Sequence, residues 1–495
     1  MYMKLRFTFL FMVLALVLNS SELQAQPSSK HKPTTCDLKS DMRKLWEDHI
    51  EWTRNVILNI LDDLPGTSHV VARLLQNQDD IGNAIKPFYG EVAGNQLTSL
   101  LRQHITIAAD LLSALKNNNT AAFNSANAQW LTNADAIAAF LSAANPNWPQ
   151  GEMKAMMYSH LSLTAAEALA RKNHDYNADV AAYENVHLEI LEMADMLTEG
   201  IVKQFPKEFS GCPLEEHSRP DKTTQCDLKS GMRKLWEDHI TWTRNVILNI
   251  IDNLPGTAQA VTRLLQNQVD IGNAIKPYYG TFGGNHLTAL LHDHITIAAT
   301  LLTALKNNDA TTLASTSAQW YVNADSIAKF LSTLNPQWAY AEMKTMMFTH
   351  LDLTTAEAVA RKNADYAGDV ITYDNVHNEI LEMADMFTEG ITRQFPNEFK
   401  GCPLSTPAVV TRGMLHQNMP NPFGDRTTIS FFISQDVSKA QLIIFDNRGN
   451  AVKTFNLTQR GEGSVDFNAT NLRHGVFTYS LVADGTVTDT RKMVH

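Results

Sequence analysis

Cysteine is scarce in this chain, with four among 495 residues, which excludes a small scaffold held together by many disulfides. Basic residues are outnumbered, and the formal net charge is −11. Nucleic acid is therefore not expected as a partner, because phosphate binding needs clustered Lys and Arg. Beyond the N-terminal segment, no stretch has the roughly 18 consecutive apolar residues of a membrane span. No esterase, phosphate-loop, zinc-protease or dinucleotide motif occurs either.

The N-terminus has the features of a signal peptide. Lys4 and Arg6 precede an apolar stretch from Phe7 to Leu18, and Ala25 supplies the small residue of a cleavage site. The alternative is a membrane anchor, but this stretch forms a helix of only about 18 Å, against a bilayer core of about 30 Å. We predict that residues 1–25 are removed and that the mature protein is exported to a compartment where disulfides form.

A long internal repeat dominates the sequence. Residues 36–214 match residues 226–404 at a constant offset of 190 with no gap, and roughly two thirds of the positions are identical. The unit is far longer than a solenoid repeat, so it indicates a tandem duplication of a whole domain. We define the first copy as residues 36–212 and the second copy as residues 226–402, with linkers at 213–225 and 403–413.

Each copy has the pattern of a helical bundle. Proline and glycine interrupt the helical periodicity at regular intervals, as in Pro65-Gly66 and Asn145-Pro146. About six antiparallel helices are expected, and in the first copy they are 38–63, 67–85, 92–117, 120–143, 150–172 and 176–204. The fold class is thus mainly α for both copies.

The four cysteines bracket the two copies. Cys36 and Cys212 lie at the ends of the first copy, and Cys226 and Cys402 at the ends of the second. Four cysteines allow three pairings. Pairing within each copy is favoured because it makes each bundle self-contained, and six antiparallel helices bring both ends together. The alternative considered is a bond between Cys212 and Cys226 across the linker.

Four histidine positions are shared by both copies and fall on apolar helix faces. His49, for example, lies in a stripe with Leu45, Trp52 and Val56 at helical spacing. Each of the four lies at a similar depth in its helix, so the bundle is expected to present four inward imidazoles at one height. The positions are His49 and His239, His104 and His294, His160 and His350, and His187 and His377.

A buried imidazole is costly unless it is hydrogen-bonded or ligated, so this pattern predicts a metal site in each bundle. Zinc, iron, copper and nickel all accept imidazole ligands. Glu167 and Glu357 follow the third histidine by seven residues and are candidate additional ligands. No known metal-site motif is matched in full. The alternative is an inert polar network with Gln78, Asn133 and Asp135, repeated at Gln268, Asn323 and Asp325.

Several segments resemble an uncharacterised family of bacterial helical-bundle proteins over about 180 residues per copy. They include LWEDHIEWTRN, DIGNAIKPFYG, RQHITIAADLL, QWLTNADAIAAFL and EGIVKQFP. The resemblance implies no established activity. It also implies that the first three histidine positions are steadier than those of His187 and His377.

The C-terminal region changes to a period-two pattern typical of strands. About seven short strands with frequent turns predict an immunoglobulin-like sandwich. The motifs Asn418 to Phe423, Phe445 to Gly449, Leu472 to Phe477 and Lys492 to Val494 resemble a type IX secretion C-terminal sorting domain at residues 414–495. The resemblance implies that the type IX machinery is a partner and that attachment to surface lipopolysaccharide, or release, follows. The alternative is a carbohydrate-binding or adhesive sandwich.

Together these patterns predict an exported cell-surface or secreted protein. The favoured function is non-enzymatic binding, with a histidine-based metal site in each bundle. The alternatives are a metal-dependent enzyme that uses the same site with an open coordination position, and a structural or adhesive protein with inert core histidines.

Overall fold

The computed structural model describes residues 32–210 and 223–399, and then 413–415, 418–421, 423–434, 437–446, 451–470, 475–484 and 486–495. The predicted signal peptide, Cys212, Cys402, much of both predicted linkers and parts of the C-terminal motifs lie outside these residues. Within them the fold is mainly helical with a C-terminal sandwich, which confirms the predicted fold class.

Ten α-helices make up the described parts of the two copies, five in each. Helix α1 begins three residues earlier than predicted because Thr34 and Asp37 form a capping box that satisfies its first backbone N–H groups. The first copy contains α1 (Thr35–Leu61), α2 (Thr67–Lys116), α3 (Thr120–Ala144), α4 (Gln150–Lys172) and α5 (Tyr176–Gln204). The second contains α6 (Gln225–Ile251), α7 (Thr257–Asn307), α8 (Ala310–Leu334), α9 (Tyr340–Lys362) and α10 (Tyr366–Gln394).

Helix α2 is two antiparallel helices joined at Gly90. That residue has a φ of 80°, which glycine adopts without strain. The two halves touch along their backbones, because a Cβ added at Gly94 would lie 2.6 Å from the carbonyl oxygen of Gly82. Six antiparallel segments per copy therefore result, as predicted, but the break falls after Tyr89 and the helix continues through Pro87. Helix α7 repeats this break at Gly280.

By length and apolar content, α7 alone among the described helices qualifies as a candidate membrane span, with a mean hydropathy of 1.2 over 18 residues. Its break at Gly280 divides it into two halves, and it carries the buried polar side chains of Asn267, Gln268 and His294. These features are those of a helix in the core of a bundle.

The two copies share their cores. Trp52 of the first copy is fully buried and contacts Tyr373 of the second edge-on, with ring centroids 5.5 Å apart. Trp242 and Tyr183 make the reciprocal contact at 5.7 Å. The interface is thus self-complementary, as in a dimer with two-fold symmetry. The expectation of self-contained bundles is wrong, because each copy completes its neighbour's core.

The disulfide joins the two copies instead of closing each one. Cys36 bonds to Cys226, which links the first turns of α1 and α6. The predicted pairs Cys36–Cys212 and Cys226–Cys402, and the alternative pair Cys212–Cys226, are therefore wrong. The ends of the first copy do meet, since Thr34 and Ser210 form a β-bridge. The predicted pairing is wrong because the interface between the copies places the first turns of α1 and α6 side by side.

The C-terminal region forms two antiparallel sheets, in the strand orders β1-β2-β5 and β4-β3-β6-β7. Alternate residues of β2, including Ile429 and Phe431, face Leu442 and Ile444 in a common core. The strands are β1 (Gly413–Leu415), β2 (Arg426–Ile433), β3 (Ala440–Phe445), β4 (Ala451–Leu457), β5 (Gly461–Asn468), β6 (Val476–Ala483) and β7 (Thr486–Val494).

Candidate functional site

Three of the four predicted histidines meet in the core of each bundle. In the first copy, the ring centroids of His49 and His160 are 5.5 Å apart, and those of His104 and His160 are 6.4 Å apart. All three are at most 3% exposed. We call this set the histidine trio. The second copy has the same trio in His239, His294 and His350, with distances of 5.5 and 6.5 Å.

Each trio member is held at Nδ1 by a side chain 29 residues later on the next helical segment. The bundle is thus three helical hairpins, each supplying one histidine and the group that orients it. The contacts are Gln78 Nε2 to His49 Nδ1 at 3.3 Å, His104 Nδ1 to Asn133 Oδ1 at 2.8 Å, and His160 Nδ1 to Glu189 Oε2 at 3.0 Å. The same offset recurs in the second copy with Gln268, Asn323 and Glu379.

The electrostatics of the trio favour neutral imidazole at two of its three positions. Burial and then the neighbouring imidazoles lower the pKa of His104 to about 3, and they lower the pKa of His49 well below its usual range. His239 and His294 are shifted in the same direction by the same causes. The uncharged imidazole is the form that binds metal ions.

The second ring nitrogen of His104 has a partner of its own. Trp130 donates its indole N–H to His104 Nε2 at 3.0 Å. The ring of the counterpart Trp320 lies tilted against His294, with centroids 5.1 Å apart, but its buried indole N–H has no hydrogen-bond partner in the described structure. The tryptophan bond is therefore not a fixed feature of the trio.

Ligand atoms in the trio stand farther apart than in a formed metal site. Among the described residues, a single group of three brings its ligand atoms within 4.8 Å of one another, and that group is Glu47, Glu237 and His377. The trio nitrogens would therefore have to draw closer to share an ion.

His187 and His377 do not join the trios. They lie where the copies meet, each between carboxylates of both copies. His377 hydrogen-bonds Asp48 of the first copy at 3.0 Å and Glu237 of its own copy at 2.8 Å. His187 lies 3.0 Å from Asp238 and 3.2 Å from Glu47. We call these six residues the seam cluster.

The expectation that His187 shares a level with the trio is wrong for a physical reason. Helix α5 is buried on two sides, one toward its own bundle and one toward the second copy. His187 lies on the second side, and Glu189 lies two residues on and faces the trio. Burial opposes a charge on His187, but Asp238 and Glu47 outweigh it and raise its pKa to about 9.

Glu167 and Glu357 also lie apart from the trios, so their predicted role as ligands beside the histidines is wrong. Arg54 donates Nη1 to Glu167 at 2.7 Å and to Asp179 at 3.0 Å, and its Nε to Asn245 of the other copy at 2.9 Å. The second copy repeats this arrangement around Arg244, which pairs with Glu357, Asp369 and Asn55. Arg54 and Arg244 therefore each bind residues of both copies and stabilise the contact between them.

Sequence reasoning missed Glu189 and Glu379. Both belong to an acidic helix face that is usually solvated, yet each is 8% exposed and bonds the third histidine of its trio. The signal that identifies them is the constant offset of 29 residues from histidine to partner.

Gln78 and Asn133 do contact the trio, as the alternative network predicts. Asp135 instead binds Lys154 and Tyr158 near the surface.

The C-terminal sandwich has its own buried polar contact. Asn418 is fully buried and donates Nδ2 to Thr427 Oγ1 at 2.9 Å and to the Pro420 carbonyl at 3.0 Å, which holds the segment before β2 in place. Residues 419–495 match the secretion system C-terminal sorting domain. This sorting domain implies contact with the secretion machinery and a secreted or cell-surface location.

The family match covers residues 419–495 of the C-terminal region and no part of the helical copies. No family match supports the resemblance of the two helical copies to a bacterial bundle family. No curated protein and no solved structure matches the chain. The function of the helical part therefore has to be argued from its own residues.

Proposed function

We propose that this is a non-enzymatic binding protein, exported through its sorting domain, in which each bundle holds a transition metal ion at its histidine trio. The observation that carries the proposal is the meeting of three buried imidazoles, one from each helical hairpin. Nothing in an apolar core requires three such groups at one point, whereas a metal ion does.

Two of the three groups at Nδ1 support this proposal. Metal-binding histidines usually have one ring nitrogen fixed by a carboxylate, amide or carbonyl, so that the other points at the ion. Glu189 and Asn133 act in this way on His160 and His104. Metal binding requires His104 to exchange its bond from Trp130 for the ion, and the unpaired N–H of Trp320 supports the view that this bond is dispensable.

Zinc, copper, nickel and iron(II) all suit an imidazole set with a nearby carboxylate. With three protein ligands, a fourth position stays open, and this is the feature on which an enzymatic alternative depends. A structural role is favoured by one observation, the complete hydrogen bonding of His104 in the first copy.

Metal analysis of the purified mature protein tests the proposal. We expect bound metal, or a rise in melting temperature on adding zinc, copper, nickel or iron(II) to stripped protein. His294→Gln should abolish the effect in the second copy. The matched control is His292→Gln, which changes an exposed histidine on the same helix. Absence of metal, together with no thermal shift from any of the four ions, would support the structural reading.

Delivery by the sorting domain has a separate test. Removal of residues 419–495 should leave the protein inside the outer membrane, whereas the full chain should reach the surface or the medium. Sensitivity to protease added to intact cells distinguishes these locations. Co-migration of the surface form with lipopolysaccharide on a gel would support the proposed attachment, and release into the medium would exclude it.

A further inference from the structure

The seam cluster contains a compact set of ligand atoms that the bundle sites do not use. Oxygen and nitrogen atoms of Glu47, Glu237 and His377 lie within 4.8 Å of one another. The two glutamates are each 5% exposed and the histidine is 3% exposed. One carboxylate comes from each copy, so the set forms only where the copies meet.

This set is incomplete as a hydrogen-bonded structure. Glu47 Oε2 is buried and has no hydrogen-bond partner within the described part of the chain. Two buried carboxylates at close range also repel each other, and an unpaired buried carboxylate oxygen is costly. A cation among them removes both penalties. We propose that the seam binds one divalent transition metal cation through Glu47, Glu237 and His377.

The surrounding residues suit this role. Asp48 lies 3.0 Å from His377 Nδ1, which fixes the ring so that Nε2 faces Glu237. Carboxylate, imidazole and metal commonly follow one another in this way. His187 is the equivalent residue of the first copy and lies 3.2 Å from Glu47, where it offers a further nitrogen.

The charge at the seam also fits a divalent cation. Seven carboxylates and four permanent cations belong to the ion-pair contacts around the seam, so negative charge is in excess. A divalent ion reduces that excess. The carboxylates are Glu47, Asp48, Glu184, Glu237, Asp238, Asp270 and Asp374, and the cations are Lys44, Arg73, Lys234 and Arg263. Mixed nitrogen and oxygen ligands favour zinc, manganese or iron(II) over magnesium or calcium.

Equilibrium dialysis of the full mature chain against Zn²⁺ tests the proposal by counting bound ions. We expect the double variant Glu47→Gln, Glu237→Gln to bind one ion fewer per chain than the native protein. The matched control is Glu192→Gln, which makes the same chemical change on an exposed face of α5 and should leave the count unchanged. His377→Gln is a second variant that keeps hydrogen-bonding capacity, and it should weaken the same ion at least about 10-fold.

The seam ion does not depend on the bundle sites, and the counts separate them. The double variant His104→Gln, His294→Gln removes one histidine from each trio and should lose up to two ions while it keeps the seam ion. If that variant binds no zinc at neutral pH, the seam holds no ion and the proposal is overturned. Full retention of every ion in His377→Gln, with circular dichroism showing a native fold, also overturns it.

Discussion

Loss of the buried ion pairs of Arg54 is predicted to destabilise the contact between the copies strongly. Arg54 is 2% exposed and bonds Glu167, Asp179 and Asn245. Its guanidinium also lies 5.0 Å from the ring of Trp242. Replacement by Met keeps much of the volume of the side chain, but it leaves Glu167 buried without its cation and Asp179 with Arg171 alone, at 3.5 Å.

The expected magnitude follows from that loss. Removing one partner of a buried ion pair costs about 3–5 kcal/mol, because the remaining charge has no compensation. Typical domains are stable by about 5–15 kcal/mol, so the Arg54→Met protein should still fold but unfold at much lower urea. Arg244→Met should cost a similar amount, since it makes the equivalent contacts.

Urea unfolding followed by tryptophan fluorescence measures this effect, because Trp242 is next to the mutated side chain. Arg102→Met is the matched control. Its side chain is 43% exposed and pairs with Asp79 at the surface, so its loss should cost about 0–1 kcal/mol. Equal midpoints for the Arg54 and Arg102 variants would refute the claim that the buried arginines fasten the copies.

Further predictions concern pH, packing and the disulfide. Burial raises the pKa of Glu167 from 4.5 to about 7, so the protonated side chain stabilises the fold at low pH and this stabilisation is lost as the pH rises through 7. Between about pH 5 and pH 8, the urea midpoint of the native protein should therefore decrease more than the midpoint of the Glu167→Gln variant. Gly200→Ala should destabilise by about 1–3 kcal/mol in thermal unfolding, because its Cβ would lie 1.9 Å from Trp148 Nε1, whereas Gly151→Ala meets open space and should not. Non-reducing peptide mapping should find Cys36 joined to the second copy; a link within the first copy would contradict this.

The sequence was sufficient to predict the helical bundles and the inward position of three of the four histidines, because both depend on local periodicity. Apolar spacing of three and four residues placed His49, His104 and His160 on inward faces, and the structure brings them together. The same reasoning failed for His187. A helix buried on two sides shows two apolar faces, and periodicity does not say which one faces its own bundle.

Local patterns in the sequence also did not predict the contact between the two copies. Reciprocal contacts such as Arg54 to Asn245 join residues 191 positions apart, and no spacing rule within one copy reveals them. The pairing of Cys36 with Cys226 follows from this contact and not from the topology of either bundle. An arginine and a tryptophan that recur on α1 and α6 are buried at this contact, as in a self-complementary surface.

Anomalous diffraction from crystals of the zinc-loaded mature protein, recorded at the zinc absorption edge, tests the central claim most directly. We expect one peak in each bundle, about 2 Å from imidazole nitrogens of the histidine trio, with His104 released from Trp130. Zinc-saturated crystals with no peak in either bundle, and with the Trp130 hydrogen bond intact, would contradict it.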